Sequence, residues 1–231
     1  MNKLIYFTIF VLSTALLSCE KREGAIFPVS KQLGVAVENI DKLPVIQGEV
    51  LDGENRRIAS KKIKYNSLAK LNYKILNVGG FGVAKKQLDI TAQAFQFTTG
   101  KSYFSAYELP DVSQPYNIIL RSYPKGRGVV YNRSAIFYPM VLLLDASYKI
   151  IKLVDPKLQH ADPYHYDITG KVMIDDADVK YAIVLTTDET LMGNSVMLSA
   201  RTDTRTYITE YFKAVRPHSP EGSVKVFIDK K

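Results

Sequence analysis

Tryptophan is absent from this 231-residue chain, cysteine occurs once, and histidine occurs three times. The single cysteine, Cys19, excludes an intrachain disulfide and any metal site made of several cysteines. No G-x-S-x-G nucleophile elbow and no helical HExxH pair occurs in the chain. We therefore expect no enzyme, no cofactor and no metal.

Acidic residues are missing from residues 56–86, which hold nine Lys or Arg side chains. The net charge of +8 belongs mostly to this stretch. Anionic lipid or lipopolysaccharide head groups are one expected partner for such a stretch, and a simple solvated face is the other interpretation. A nucleic-acid partner is not expected, because the N-terminus indicates export.

A long membrane-spanning run is also missing, but a shorter apolar run stands at the N-terminus. Lys3 precedes residues 4–17, which carry no charge. A positive start followed by an apolar run of this length is typical of a secretory signal. Leu16-Leu17-Ser18-Cys19 resembles the bacterial lipobox, so we expect lipidation of Cys19. Acyl chains hold a protein on a membrane, and Glu20 after the cysteine favours the outer membrane, facing the periplasm.

Short apolar runs separated by turn residues fill the chain from residue 88 onward. They predict strands at 94–99, 102–109, 115–123, 136–145, 149–154, 170–174, 181–187 and 223–228. The continuous run Met140–Leu144 predicts a central strand. A strand is also predicted at 45–51, and helices at 60–76 and somewhere in 189–214. The fold class is therefore all-β, an antiparallel β-sandwich of Greek-key or jelly-roll type.

The predicted organisation has three parts. Residues 1–18 form a signal helix, residues 19–86 form a tether with the basic N-terminal segment, and residues 87–231 form the sandwich. Gly79–Gly82 would be a hinge between the last two parts.

Four groups of side chains are candidate sites. A metal is one interpretation of His160, Asp162 and His165, and a surface loop is the simpler one. Calcium is one interpretation of Asp175, Asp176 and Asp178, and a turn is the simpler one. His218 beside Ser219, in an apparent loop, is a weak catalytic candidate. Tyrosines at strand ends could hold a sugar ring, although they more often lie half in the core; they are Tyr103, Tyr107, Tyr164 and Tyr166.

Several blocks together resemble the maltose operon periplasmic protein family over residues 87–230. The most specific are Gly100-Lys101-Ser102-Tyr103-Phe104 with Leu109-Pro110, and Phe137-Tyr138-Pro139 before Leu144-Asp145. The resemblance implies a periplasmic protein linked to maltose or maltodextrin uptake, without an established enzymatic activity. It implies no catalytic or ligand residue; the segment 100–104 would be a turn opening a strand whose aromatic side chains pack in the sandwich.

From these observations we expect a non-enzymatic lipoprotein of the cell envelope, accessory to carbohydrate transport. Its partners would be the membrane, through the lipid anchor, and a carbohydrate or an envelope protein. The alternative is a structural or interaction module that binds an envelope protein or an anionic envelope polymer.

Overall fold

Thirteen strands and two helices make up the part of the chain that the structure, a computed structural model, describes: residues 46–111, 115–125, 135–159, 167–202 and 209–229. The helices are α1 (Ile46–Ser60) and α2 (Asp188–Leu191), and a single 3₁₀ turn spans Leu68–Lys70. The strands are β1 (Tyr73–Ile75), β2 (Lys86–Leu88), β3 (Ala94–Phe97), β4 (Gly100–Tyr103), β5 (Ser105–Glu108), β6 (Tyr116–Tyr123), β7 (Met140–Leu144), β8 (Ile150–Val154), β9 (Ile168–Ile174), β10 (Tyr181–Leu185), β11 (Asn194–Thr202), β12 (Thr209–Pro217) and β13 (Gly222–Asp229).

The strands form two principal sheets and two hairpins. The five-stranded sheet has the order β1-β5-β10-β7-β8, and the four-stranded sheet has the order β2-β13-β6-β9. All neighbours pair antiparallel except β1 and β5, which run parallel with Tyr73 opposite Ala106. Strands β3 and β4 form one hairpin, and β11 and β12 form the other. The prediction of an all-β sandwich is confirmed.

Alternation along the strands places the main core between the two sheets. In β6, Ile118 and Leu120 are fully buried while Arg121 is exposed, so one face of the strand is apolar. Leu143 of β7 and Val226 of β13 enter the same cluster from the two sheets. This apolar surface, withdrawn from water, provides most of the stabilisation of the fold.

A second core covers the other side of the five-stranded sheet. Phe95, Phe97 and Phe104 pack there as an aromatic cluster, with ring centroid distances of 4.9–6.5 Å. Leu142 and Leu144 of β7 meet this cluster, while Val141 and Leu143 face the main core. Strand β7 is thus buried on both faces between β10 and β8, which confirms the prediction of a central strand at Met140–Leu144.

The predicted strands from residue 94 to 154, and those at 170–174, 181–187 and 223–228, are confirmed within a few residues at their ends. The run 102–109 is divided at Phe104 into β4 and β5, which belong to different sheets. The helix predicted in 189–214 is wrong except for the short α2, because this region forms the long β11–β12 hairpin. In sequence, Ser, Thr and Arg interrupt the apolar residues of this region without regular alternation.

The predictions for residues 45–76 are wrong in both elements. The strand predicted at 45–51 is part of α1, and the helix predicted at 60–76 is replaced by the 3₁₀ turn and β1. Leu68 and Leu71, spaced like a helix face, instead pack beside the aromatic cluster, since that contact buries them without a helix. Contact with the sandwich also keeps α1 helical, although it contains two glycines.

Residues on both sides of the predicted boundary at residue 87 contribute to the same sheet and the same core. Strand β1 adds to the five-stranded sheet, and Ile58 and Leu76 are buried in the main core. The described residues from 46 onward form one compact unit. The predicted signal helix, Cys19 and the start of the tether lie outside the described residues. Among the described residues, no helix has the length and apolar character needed to span a membrane.

Candidate functional site

The segment Gly100–Phe104 opens strand β4 at a tight turn. Gly100 has φ +118°, and a Cβ atom built there would lie 2.1 Å from a carboxylate oxygen of Asp188. A side chain at position 100 would therefore be strained in its backbone and would collide with the start of α2. This close approach accounts for glycine as the first residue of the segment.

The next two side chains tie this turn to other elements. Lys101 Nζ donates a hydrogen bond of 2.7 Å to the carbonyl oxygen of Ala59, in the last turn of α1. Such a bond satisfies a carbonyl group that the helix itself leaves unpaired. Ser102 is fully buried, and its hydroxyl accepts a 2.9 Å bond from the amide of Thr186, just after β10. Both contacts hold β4 to other elements of the fold.

The remaining members of the segment are core residues. Tyr103 is fully buried in the main core, and Phe104 belongs to the aromatic cluster. Leu109 is buried, and its amide donates to the carbonyl oxygen of Lys180 at 2.9 Å, while the adjacent Pro110 is half-buried. The interpretation of the segment as a turn that opens a strand with packed aromatic side chains agrees with this placement. Because Tyr103 is fully buried, it does not serve as a sugar platform.

Beside the segment lies a group of polar and charged side chains that we call the docking cluster: the buried Glu54, Ser219 and Glu221, and the half-buried Arg57 and Lys125. Arg57 donates two bonds to the carboxylate of Glu221, at 2.7 and 3.0 Å. Lys125 Nζ lies 2.7 Å from Glu54 Oε1 and also bonds to Glu221. The hydroxyl of Ser219 donates to the other oxygen of Glu54. Helix α1 is thus held to the chain after β6 and to the turn before β13.

Charge balance is what makes this cluster stable. Glu54 and Glu221 are 1% and 2% exposed, and an unpaired buried carboxylate would be costly. Burial alone would raise the pKa of Glu221, but the bonds from Arg57 and Lys125 outweigh it and lower that pKa. Burial acts to lower the pKa of Lys125, and the same two glutamates reverse the effect and raise it. Glu221 and Lys125 therefore stay ionised together.

The hydroxyl of Tyr103 lies near the docking cluster. It has no hydrogen-bond partner among the described residues, and burial raises its pKa to about 12. The charges of Glu221 and Arg57 act on it with opposite sign. Tyr103 consequently remains a neutral phenol next to the ion pairs.

His218 does not interact with Ser219 as a catalytic pair would. Its Nδ1 lies 2.6 Å from the carbonyl oxygen of Thr190, and its Nε2 lies 2.8 Å from the hydroxyl of Ser195. A carbonyl group only accepts, so Nδ1 carries the proton and Nε2 accepts from Ser195. The ring is stacked on Tyr138 at a centroid distance of 4.5 Å and is 6% exposed.

The imidazole therefore joins α2, β11 and the end of β12. Burial lowers the pKa of His218 and outweighs the opposing bond to Thr190, so the ring is neutral at pH 7. A serine and a neutral base at 2.8 Å have the form of an activated nucleophile. Here, however, both ring nitrogens are bonded within the fold and the third group is a carbonyl oxygen. Sequence reasoning had paired His218 with its neighbour and missed Ser195, which only the β11–β12 hairpin brings close.

The other predicted candidates are placed as follows. Asp176 accepts a bond of 2.9 Å from the amide of Asp178, which makes the acidic run a turn between β9 and β10. Tyr107 is half-buried against the main core. His160, Asp162, His165, Tyr164 and Tyr166 lie outside the described residues, as does Cys19. No group of potential metal ligands occurs among the residues that the structure describes.

The nine basic side chains of residues 56–86 are distributed over the folded unit. Arg57 is used in the docking cluster, and Lys61 bonds to the carbonyl oxygen of Ile90. Lys70 bonds to Asn66, and Lys85 lies 3.5 Å above the ring of Tyr123. The basic stretch is therefore not one continuous face, although its last residues reach the four-stranded sheet.

The fold and the segment Gly100–Phe104 define a compact all-β domain. The side chains of this segment hold elements of the domain together. A protein-family model described as "Maltose operon periplasmic protein precursor (MalM)" matches residues 99–228. This match covers more than half of the chain, and the chain belongs to the maltose operon periplasmic protein family, as the resemblance implied. The family is periplasmic. No curated protein and no solved structure matches the chain.

Proposed function

We propose that this protein is a non-enzymatic lipoprotein of the cell envelope, accessory to the uptake of maltose or maltodextrins. The observation that carries the proposal is the family match over residues 99–228, which spans β4 to β13 and most of both sheets. The description of the family supplies the link to maltose, and the rest of the role is inferred.

The anchor is proposed from Leu16–Cys19, the lipobox-like end of the apolar N-terminal run. Two or more acyl chains on Cys19 would hold the domain stably at the outer membrane, facing the periplasm. Residues 20–45 would then separate the lipid from α1. A tether of 26 residues spans at most about 90 Å when fully extended, so the folded unit would work close to the membrane.

The absence of an enzymatic role is proposed from the use of the polar groups. In the docking cluster and around His218, the side chains that could act as bases or nucleophiles are bonded to partners within the fold. A catalytic group must instead reach the proton or carbon atom of a substrate.

Calorimetric titration of residues 20–231 with maltodextrins of increasing length tests the ligand class. The proposal expects saturable binding of α-1,4-linked glucans and none of cellodextrins, which serve as the matched control. Equal heats for both series, or none for either, would contradict a maltodextrin-binding role. The second candidate, a module that binds an anionic envelope surface, is favoured by the basic residues on the outer face of the four-stranded sheet.

Mass spectrometry of the N-terminal peptide from membranes tests the anchor separately. The expected peptide begins at Cys19 and carries a diacylglyceryl group with a further acyl chain on its amine. A peptide with an unmodified cysteine, or one that begins elsewhere, would show that the anchor is absent.

A further inference from the structure

The outer face of the four-stranded sheet is basic. Its four strands contain four Lys or Arg residues and one acidic residue, Asp229, at the end of β13. Arg121 and Lys225 lie opposite each other on β6 and β13 and point away from the core. Lys171 of β9 is exposed in the next row, opposite Ile119. The cations therefore form a patch across three adjacent strands.

A glycine-rich loop lies directly on this patch. Gly80 packs against Phe227, since a Cβ atom at position 80 would lie 2.8 Å from the ring. Phe227 faces outward on β13, and it is 7% exposed because the loop covers it. Arg121 lies 5.8 Å and Lys225 Nζ 6.0 Å from the centroid of the same ring. The loop Gly79–Gly82 is thus placed beside both cations.

The tip of this loop presents an aromatic side chain to solvent. Phe81 is fully exposed, and the neighbouring Val78 is 46% exposed. Gly79 and Gly82, with φ +81° and +72°, allow the sharp turns on each side. After the loop, Lys85 stacks on Tyr123, which also faces outward from β6. Phe81 follows Gly80, which packs on the ring that Arg121 and Lys225 flank, so the loop offers an exposed apolar side chain near basic ones.

We propose that this surface, the loop–sheet face (Phe81, Lys85, Arg121, Lys171 and Lys225), rests on a bilayer of anionic phospholipids, with Phe81 inserted among the head groups. The proposal rests on the proposed envelope location, but it does not require the lipid on Cys19. Basic side chains near an anionic bilayer attract it, and an apolar ring at the boundary adds burial. The face would orient a domain that the tether merely keeps nearby.

A bilayer fits these residues better than a soluble anionic polymer does. A polymer would neutralise Arg121 and Lys225 but would leave Phe81 in water. A membrane interface satisfies both kinds of group at once, because it combines negative head groups with an apolar layer directly below them.

The absence of tryptophan makes a direct test possible, because Phe81→Trp introduces a single tryptophan into residues 20–231, which can be excited at wavelengths where tyrosine does not absorb. Vesicles of phosphatidylethanolamine and phosphatidylglycerol should shift its emission to the blue, and vesicles of phosphatidylcholine should not. Met192→Trp is the matched control, since Met192 is 82% exposed after α2 and lies outside the loop–sheet face. An unchanged Phe81→Trp emission on vesicles that bind the chain would overturn the insertion of this loop.

Charge variants test the sheet. Arg121→Gln and Lys225→Gln should each weaken vesicle binding about fivefold at low salt, and added salt should weaken binding by the unaltered chain. Lys152→Gln, an exposed lysine on β8 of the other sheet, should leave binding unchanged. Circular dichroism of each variant checks that the fold is intact. Equal binding by all three variants would place the attraction elsewhere on the molecule.

Three further outcomes separate this proposal from others. Binding to soluble dextran sulfate without binding to vesicles would replace the bilayer with an anionic polymer. If residues 20–231 bind vesicles but not maltodextrins, only the carbohydrate role is rejected. If they bind maltodextrins but not vesicles, only the proposal for the loop–sheet face is rejected.

Discussion

Lys101 Nζ lies 2.7 Å from the carbonyl oxygen of Ala59, so a side chain of the β3–β4 hairpin holds the last turn of helix α1. This contact crosses the boundary that the sequence suggested at residue 87. It also gives the most specific segment of the family resemblance a physical role, which is to join the N-terminal helix to the sandwich.

Removing this bond should loosen α1 without unfolding the sandwich. Lys101→Met keeps the apolar stem and loses the charged donor, so we expect a loss of about 1–2 kcal/mol in the free energy of unfolding. Amide exchange should increase in α1 and stay unchanged in β7. Lys152→Met is the control and should change the stability by less than about 0.5 kcal/mol. Equal exchange in α1 for both variants would contradict this role.

Breaking the docking cluster should cost more. Glu221→Gln leaves Arg57 and Lys125 with one carboxylate between them, so we expect a loss of about 3 kcal/mol, measured by chemical denaturation. The same substitution at Glu189, which is exposed in α2, is the matched control. Equal denaturation midpoints for the two variants would show that the docking cluster does not contribute to stability.

His218 should make the stability depend on pH. Its pKa is lower in the folded protein than the ordinary value of 6.5, so the unfolded chain binds more protons between the two values. The contribution of His218 to the free energy of unfolding should therefore be greatest above pH 6.5. It should fall as the pH drops toward the folded pKa, by at most about 1.4 kcal/mol per pH unit. His218→Gln should flatten this fall between pH 7.5 and 5. An identical slope in the variant would assign the dependence to other groups.

The strands of the sandwich could be predicted because their signals are local. Tyr116, Ile118 and Leu120 alternate with residues on the other face, and Met140–Leu144 is apolar throughout, so strand type and burial follow from the pattern. Turn residues then mark the ends. The pairing of strands was not accessible in this way, because nothing local specifies that β10 lies between β5 and β7.

Helix α1 could not be predicted, because it depends on contacts distant in sequence. Glu54 is paired with Lys125 and Ser219, and Arg57 with Glu221, at separations of 71 to 165 residues. The contact between Ser195 and His218 has the same origin, since it exists only when the β11–β12 hairpin forms. Such polar contacts define the candidate sites, while a hydrophobic pattern defines only strands and their faces.

Uptake of labelled maltodextrin at limiting concentration, in the bacterium that carries this chain, tests the proposed function most directly. Deletion of the gene should slow uptake, the wild-type gene should restore it, and Cys19→Ala should fail to restore it because the domain is no longer anchored. Normal uptake after deletion would contradict an accessory role in carbohydrate transport, and full restoration by Cys19→Ala would contradict the need for the anchor.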